Sequence, residues 1–106
     1  MPAGRPNPIS IGPRPFPSMS AAERFVSAIL NRYRLGERIT GEDEEVVRDL
    51  FLMHPEHASK LDGQAISHFE VADQPEQHKA TRSFVVVRVD GGRDDFSLQR
   101  ALGIRK

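Results

Sequence analysis

Between Ser83 and Ser97 the chain reads SFVVVRVDGGRDDFS, a run that few folds accommodate. Valine and phenylalanine suit a pleated, half-buried surface, and Asp-Gly and Gly-Gly tolerate the positive φ angles of a tight hairpin turn. The segment predicts a central strand over 82–89, a turn at Asp90-Gly91-Gly92, and a third short strand that Phe96 opens. Arg88 interrupts the apolar run just before the turn. Arg88, Asp90, Arg93 and Asp95 therefore gather at one end of a strand pair.

The residues before this hairpin read as helices. Ser20-Ala21-Ala22-Glu23 is a capping box, so a first helix is expected from Ser20. Phe25, Val26, Ile29, Leu30 and Tyr33 follow at helical spacing, with Gly36 as the stop. Arg24, Arg32 and Arg34 fall off this stripe and face solvent or a partner. Thr40 caps a second helix whose first turn holds Glu42, Asp43, Glu44 and Glu45, where acidic groups complement the helix dipole. Val46, Val47, Leu50 and Phe51 form its apolar face, Glu44 pairs with Arg48, and Pro55 ends it. A turn or short helix through His57 closes at Asp62-Gly63. Ile66 to Val71 alternates as a first strand, and Ser97 caps a last short helix that stops at Gly103. The predicted fold is α+β: two N-terminal helices packed on a small three-stranded antiparallel sheet, with a short C-terminal helix.

Residues 1–17 contain six of the eight prolines. Proline removes backbone donors and favours extended backbone, so a disordered Pro-rich arm is expected there, with Phe16 the first residue to dock. Residues 18–106 then form a single domain. A chain of 106 residues buries roughly 60–65% of its unfolded surface, enough for one core. The absence of cysteine excludes disulfides, thiolate metal sites and cysteine nucleophiles, and fits a reducing compartment. No secretory signal and no apolar stretch of about 20 residues is visible, so a cytoplasmic protein away from membranes is expected.

Net charge is zero, but its distribution is uneven. Residues 1–40 carry six basic and two acidic side chains, residues 41–80 three and ten, and residues 81–106 six and three. Such segregation fits solvated helix faces, and it also allows one positive face after folding.

Arg88 is placed to pair bidentately with Asp95 across the hairpin, with Asp90 accepting turn amides; that reading makes the cluster structural. The alternative has Lys60, Arg88 and Arg93 presenting donors to phosphates. Zinc is not expected at His54, His57, His68 and His78, because no cysteine helps and the spacing matches no ligand pattern. No cofactor is expected. Gly91-Gly92 lacks the flanks of a phosphate-cradling loop, and Ser97 lacks a nucleophile-elbow sequence.

Several spaced motifs recur in order: Phe16-Pro17-Ser18, Ser20-Ala21-Ala22, Phe25-Val26, Ile29-Leu30 with Asn31 and Tyr33, Gly36, His54-Pro55, Lys60 and Gly63. Phe84-Val85-Val86, Arg88, Asp90-Gly91 and Asp95-Phe96-Ser97 complete the set. In these the chain resembles the DCL (defective chloroplasts and leaves) family over about residues 16–102. The resemblance implies an association with RNA metabolism. Plant members are linked to maturation of plastid ribosomal RNA, and a similar domain ends the largest subunits of plant-specific RNA polymerases. The transit peptide and basic C-terminal extension of plastid members are missing here, so a stand-alone bacterial-type member is expected. On that reading the protein is a non-enzymatic domain that engages RNA or an RNA-containing complex. Lys60, Arg82, Arg88, Arg93 and Arg100 would form its electrostatic footprint. His54, Pro55, Gly63, Asp90, Gly91, Asp95, Phe96 and Ser97 are signature residues with structural roles. A second reading is a protein-interaction module using an open sheet edge, a helix face or the Pro-rich arm. A third is a small hydrolase with Asp90 and Asp95 in one cleft.

Overall fold

The computed structural model describes residues 8–73 and 82–103. The chain opens with a hairpin of two short strands, β1 (Ile9–Ile11) and β2 (Arg14–Phe16), in place of the expected disordered arm. Its register pairs Ile9 with Phe16 and Ile11 with Arg14 across the Gly12-Pro13 turn. Gly12 takes φ +60, the positive value a two-residue hairpin turn can demand, and Pro13 follows with its fixed negative φ. A two-stranded ribbon is all edge, so its prolines interrupt no ladder on both sides. Ile11 is fully buried in the core, and the Gly12 turn sits against the Asp49 side chain, where a β-carbon would not fit. The part of the arm over 1–7 lies outside the described residues.

Helix α1 spans Met19–Arg32. Its cap is Ser18, two residues before the predicted start, and the Ser18 hydroxyl accepts from the Ala21 N–H at 3.1 Å. Ser20 therefore lies inside the first turn. The helix ends at Arg32, before Gly36; the extended backbone of Tyr33 frees residues 36–39 to run beside the sheet. Helix α2 (Gly41–Met53) begins after Thr40 as expected, although the Thr40 side chain makes no capping bond. Pro55 follows its end. Helix α3 (His57–Leu61) closes through Asp62 and Gly63, both in the left-handed region.

Strands β3 (Ile66–Asp73), β4 (Arg82–Arg88) and β5 (Arg93–Phe96) form an antiparallel sheet in that order. Phe96 closes β5 and does not open it, because the strand resumes directly after Gly92. Helix α4 (Leu98–Leu102) is capped by the Ser97 hydroxyl, which accepts from the Arg100 N–H, and stops at Gly103 with φ +86. The molecule is thus α+β with four helices and two small antiparallel sheets among the described residues. The outer edge of β3 is covered. Gly36 and Ile39 donate to the carbonyls of Val71 and Phe69, and Val71 donates back to Glu37.

Helix α1 contacts β4, α2 contacts β3, and α4 packs on both helices. Phe51 from α2 reaches Phe69 and Phe96 edge-on, at 5.9 and 5.0 Å between ring centroids, and Phe84 stacks on Phe96 at 5.7 Å. Each such pair adds about 0.5–1.5 kcal/mol beyond the area it buries. No described helix is long and apolar enough to cross a membrane.

Candidate functional site

The hairpin charges are organised around Arg88, but not as expected. Register sets Asp95 opposite Val85, three residues along β4 from Arg88, about 10 Å away and on the other face. The Arg88–Asp95 pair predicted across the hairpin is therefore not made. Arg88 instead donates to the Lys60 carbonyl at 3.0 Å and to Asp90 at 3.3 Å. Asp90 also accepts the Gly92 N–H at 2.9 Å, as predicted for an aspartate before a glycine turn. That amide, with Arg88 beside it, holds the Asp90 carboxyl below the usual carboxylate range. Lys60 lies 3.4 Å from Asp94, and its side chain and that of Arg88 are only 17% and 18% exposed. The group welds the end of α3 to the hairpin tip.

The remaining predicted footprint is also engaged. Arg93 binds Glu70 at 2.6 Å, Arg100 binds Glu56 at 3.0 Å, and Arg82 donates to the Tyr33 carbonyl. Lys60, Arg82, Arg88, Arg93 and Arg100 each tie separate elements together. On β3, Glu70 also meets His68 Nε2 at 2.7 Å, and His68 Nδ1 lies 3.0 Å from the Ser67 hydroxyl. Burial raises the Glu70 carboxyl, but the hydrogen bonds from His68 and Arg93 outweigh it and leave it below its ordinary range. The chain Ser67–His68–Glu70–Arg93 borders Val85 and Val87, which are buried on the sheet face away from the helices.

The residues named as the signature are placed as follows. His54 is the one buried polar or charged side chain among the described residues, edge-on to Phe96 at 6.2 Å. Its Nδ1 accepts the Glu56 N–H, and burial lowers its pKa. His57 lies against His54 through the His54 carbonyl, while His68 stands on β3; no described group of three or more His, Asp or Glu side chains could hold a metal ion. His78 lies outside the described residues. Gly63 and Gly91 take φ +78 and +89. Phe96 is core, and Ser97 caps α4. Asp90 stands at the hairpin tip and Asp95 near the far end of β5, so the two carboxylates do not share a cleft.

The unmatched positive charge lies elsewhere. Arg24 on α1, and Arg34 and Arg38 in its exit, are exposed and form no ion pair with a described residue. Two exposed apolar side chains alternate with them: Phe25, 39% exposed and 5.2 Å from the Phe16 ring, and Leu35, 53% exposed. Arg32 is held by Asp43 at 2.7 Å, and the Tyr33 hydroxyl donates to the same carboxylate. Burial and that bond push the Tyr33 phenol up. The excess of basic over acidic residues in positions 1–40 was the available sequence signal for this surface.

A cavity of about 400 Å³ opens between α1, the start of β4 and the start of α4.

Among solved structures, the chain is similar to the solution NMR structure of an uncharacterized protein from Rhodospirillum rubrum. The two share 29% sequence identity with a TM-score of 0.77, over 95% of this chain and 91% of that one. None of the curated proteins matches this chain. The family model described as "Protein of unknown function (DUF3223)" matches residues 27–102, from the middle of α1 to the end of α4. The chain belongs to that family.

Proposed function

We propose that this protein is a non-enzymatic RNA-associated domain whose contact surface is the arginine row of α1 and its exit. The observation that carries this reading is the contrast between two sets of cations. Lys60, Arg88, Arg93 and Arg100 face acidic partners, and Arg82 is bonded to a backbone carbonyl. Arg24, Arg34 and Arg38 are exposed with no such partner among the described residues. Guanidinium groups free of carboxylates are available to phosphate oxygens, and an exposed aromatic ring beside them offers a base a stacking surface. Phe25, next to Arg24 in the chain, is such an exposed ring. The resemblance to the DCL family, with its link to ribosomal RNA maturation, points the same way. A role in the cytoplasm accords with a cysteine-free chain.

A protein partner is the second reading. The β3 edge is paired with residues 36–39, so the β5 edge or a helix face carries this alternative. Fluorescence anisotropy with mixed-sequence RNA and DNA oligonucleotides, at about 50 and 200 mM salt, tests the proposal. Binding to RNA that weakens with salt and is lost when Arg24, Arg34 and Arg38 become alanine supports it. Flat binding, or full binding by the triple variant, overturns it.

A further inference from the structure

We infer that the cavity between α1, β4 and α4 is a binding site for a small neutral polyhydroxylated ligand presenting a vicinal diol. Glu23, Ser27 and Leu30 line one wall at spacings that share a face of α1. Arg82 and Ser83 come from the start of β4, and Ser97 and Gln99 from the start of α4.

The polar groups retain hydrogen-bonding capacity that the fold does not use. Glu23 accepts from the Gln99 amide at 3.2 Å through one carboxylate oxygen, leaving the other open. The Ser27 hydroxyl makes no hydrogen bond with a described residue. The Ser97 hydroxyl accepts the Arg100 N–H in its capping role and keeps its own hydrogen to donate. Ser83 donates to main-chain carbonyls and keeps its lone pairs. Both acceptors and donors therefore line the cavity, which suits sugar hydroxyls, each of which donates and accepts at once.

Charge narrows the ligand further. The lining holds two carboxylates, Glu23 and Asp95, and one guanidinium, Arg82, so a cation would meet Arg82 and an anion would meet the carboxylates, whereas a neutral ligand offends neither. Leu30 and Leu98 supply an apolar wall for C–H groups, while a carboxylate oxygen with an adjacent amide chelates neighbouring hydroxyls. A cavity of about 400 Å³ suits a single furanose or pyranose ring. The same chemistry could come from the ribose of a nucleoside or from a hexose, and the site is independent of the arginine row.

The test uses the full chain, with backbone amide chemical shifts followed during titration with adenosine, dideoxyadenosine and a methyl glucopyranoside. Saturable shifts at residues 23–30, 83–84 and 97–99 are expected with adenosine, with the pyranoside, or with both. Adenosine alone identifies ribose as the source, and the pyranoside alone identifies a hexose. Glu23→Gln is expected to weaken binding about tenfold or more, as loss of a charged hydrogen-bond partner does. Ser27→Val, which removes a hydroxyl and narrows the cavity, carries the same expectation should Glu23→Gln lose the fold. The inference is overturned if neither diol produces saturable shifts. It is also overturned if dideoxyadenosine binds as well as adenosine, or if folded Glu23→Gln or Ser27→Val binds as the natural chain does.

Discussion

The guanidinium of Arg88 lies across Gly92 in the space that a β-carbon there would occupy. Gly92 is thus a seat for Arg88, which from that position reaches both Asp90 and the Lys60 carbonyl. A Gly92→Ala substitution forces the guanidinium to move and give up its bonds to Asp90 and the Lys60 carbonyl, a loss of roughly 1–3 kcal/mol. The cost is expected to fall below about 0.5 kcal/mol in an Arg88→Ala background, because the clash has gone. Urea denaturation of the two single variants and the double variant measures this. An equal cost in both backgrounds would show that Gly92 is needed for some other reason.

The β1–β2 hairpin belongs to the core. Ile11 is fully buried, so Ile11→Ala is expected to destabilise the protein by about 2–5 kcal/mol. Deletion of residues 1–17 should lower the melting temperature markedly. A truncated chain as stable as the full one would return this segment to the status of an accessory arm.

Acid should act on this protein in two stages. Burial lowers the His54 pKa from 6.5 in the unfolded chain, so its contribution is complete above 6.5 and is lost as pH falls through the lowered folded-state value. Glu70 is also depressed, from 4.5, so its contribution is present above 4.5 and disappears only at lower pH. His54→Asn keeps an acceptor for the Glu56 N–H but does not titrate. It is expected to be less stable at neutral pH and flatter from about pH 7 to 5. Denaturation midpoints across that interval provide the check; an unchanged slope would remove His54 as the cause.

Nucleic-acid binding through the arginine row has a quantitative signature. Each phosphate neutralised on a single strand contributes about 0.7 to the slope of log affinity against log salt. Replacing Arg24, Arg34 and Arg38 together should therefore flatten the slope by about 2. Replacing Arg100, which Glu56 already neutralises, should change it far less. Salt titrations of the two variants separate a surface contact from a general charge effect.

Much of this was legible along the chain because it depends on neighbouring residues. Ser97 and Gly103 bracket α4, Pro55 stops α2, and the Gly91 turn joins two strands, each through local backbone chemistry. The errors share a different origin. Proline at 13 and 15 reads as disorder until Ile11 is seen to have a core to enter. Ser20 and Glu23 look like a capping box, yet Ser18 takes the cap and Glu23 turns towards Gln99, 76 positions away. Arg88 and Asp95 are close in sequence, but strand register separates them.

The sequence by itself determined the α+β class, the order of the helices and strands after residue 18, and the Asp90-Gly91-Gly92 turn. It did so because periodicity, caps and turn residues act within a few positions of themselves. Tertiary structure alone decided which charges are spent and which are open. Ion pairing depends on contacts such as Lys60 with Asp94 or Arg93 with Glu70, and these form only when distant segments pack. Composition counts charges, whereas folding pairs them, and here it left the arginines of α1 and its exit exposed.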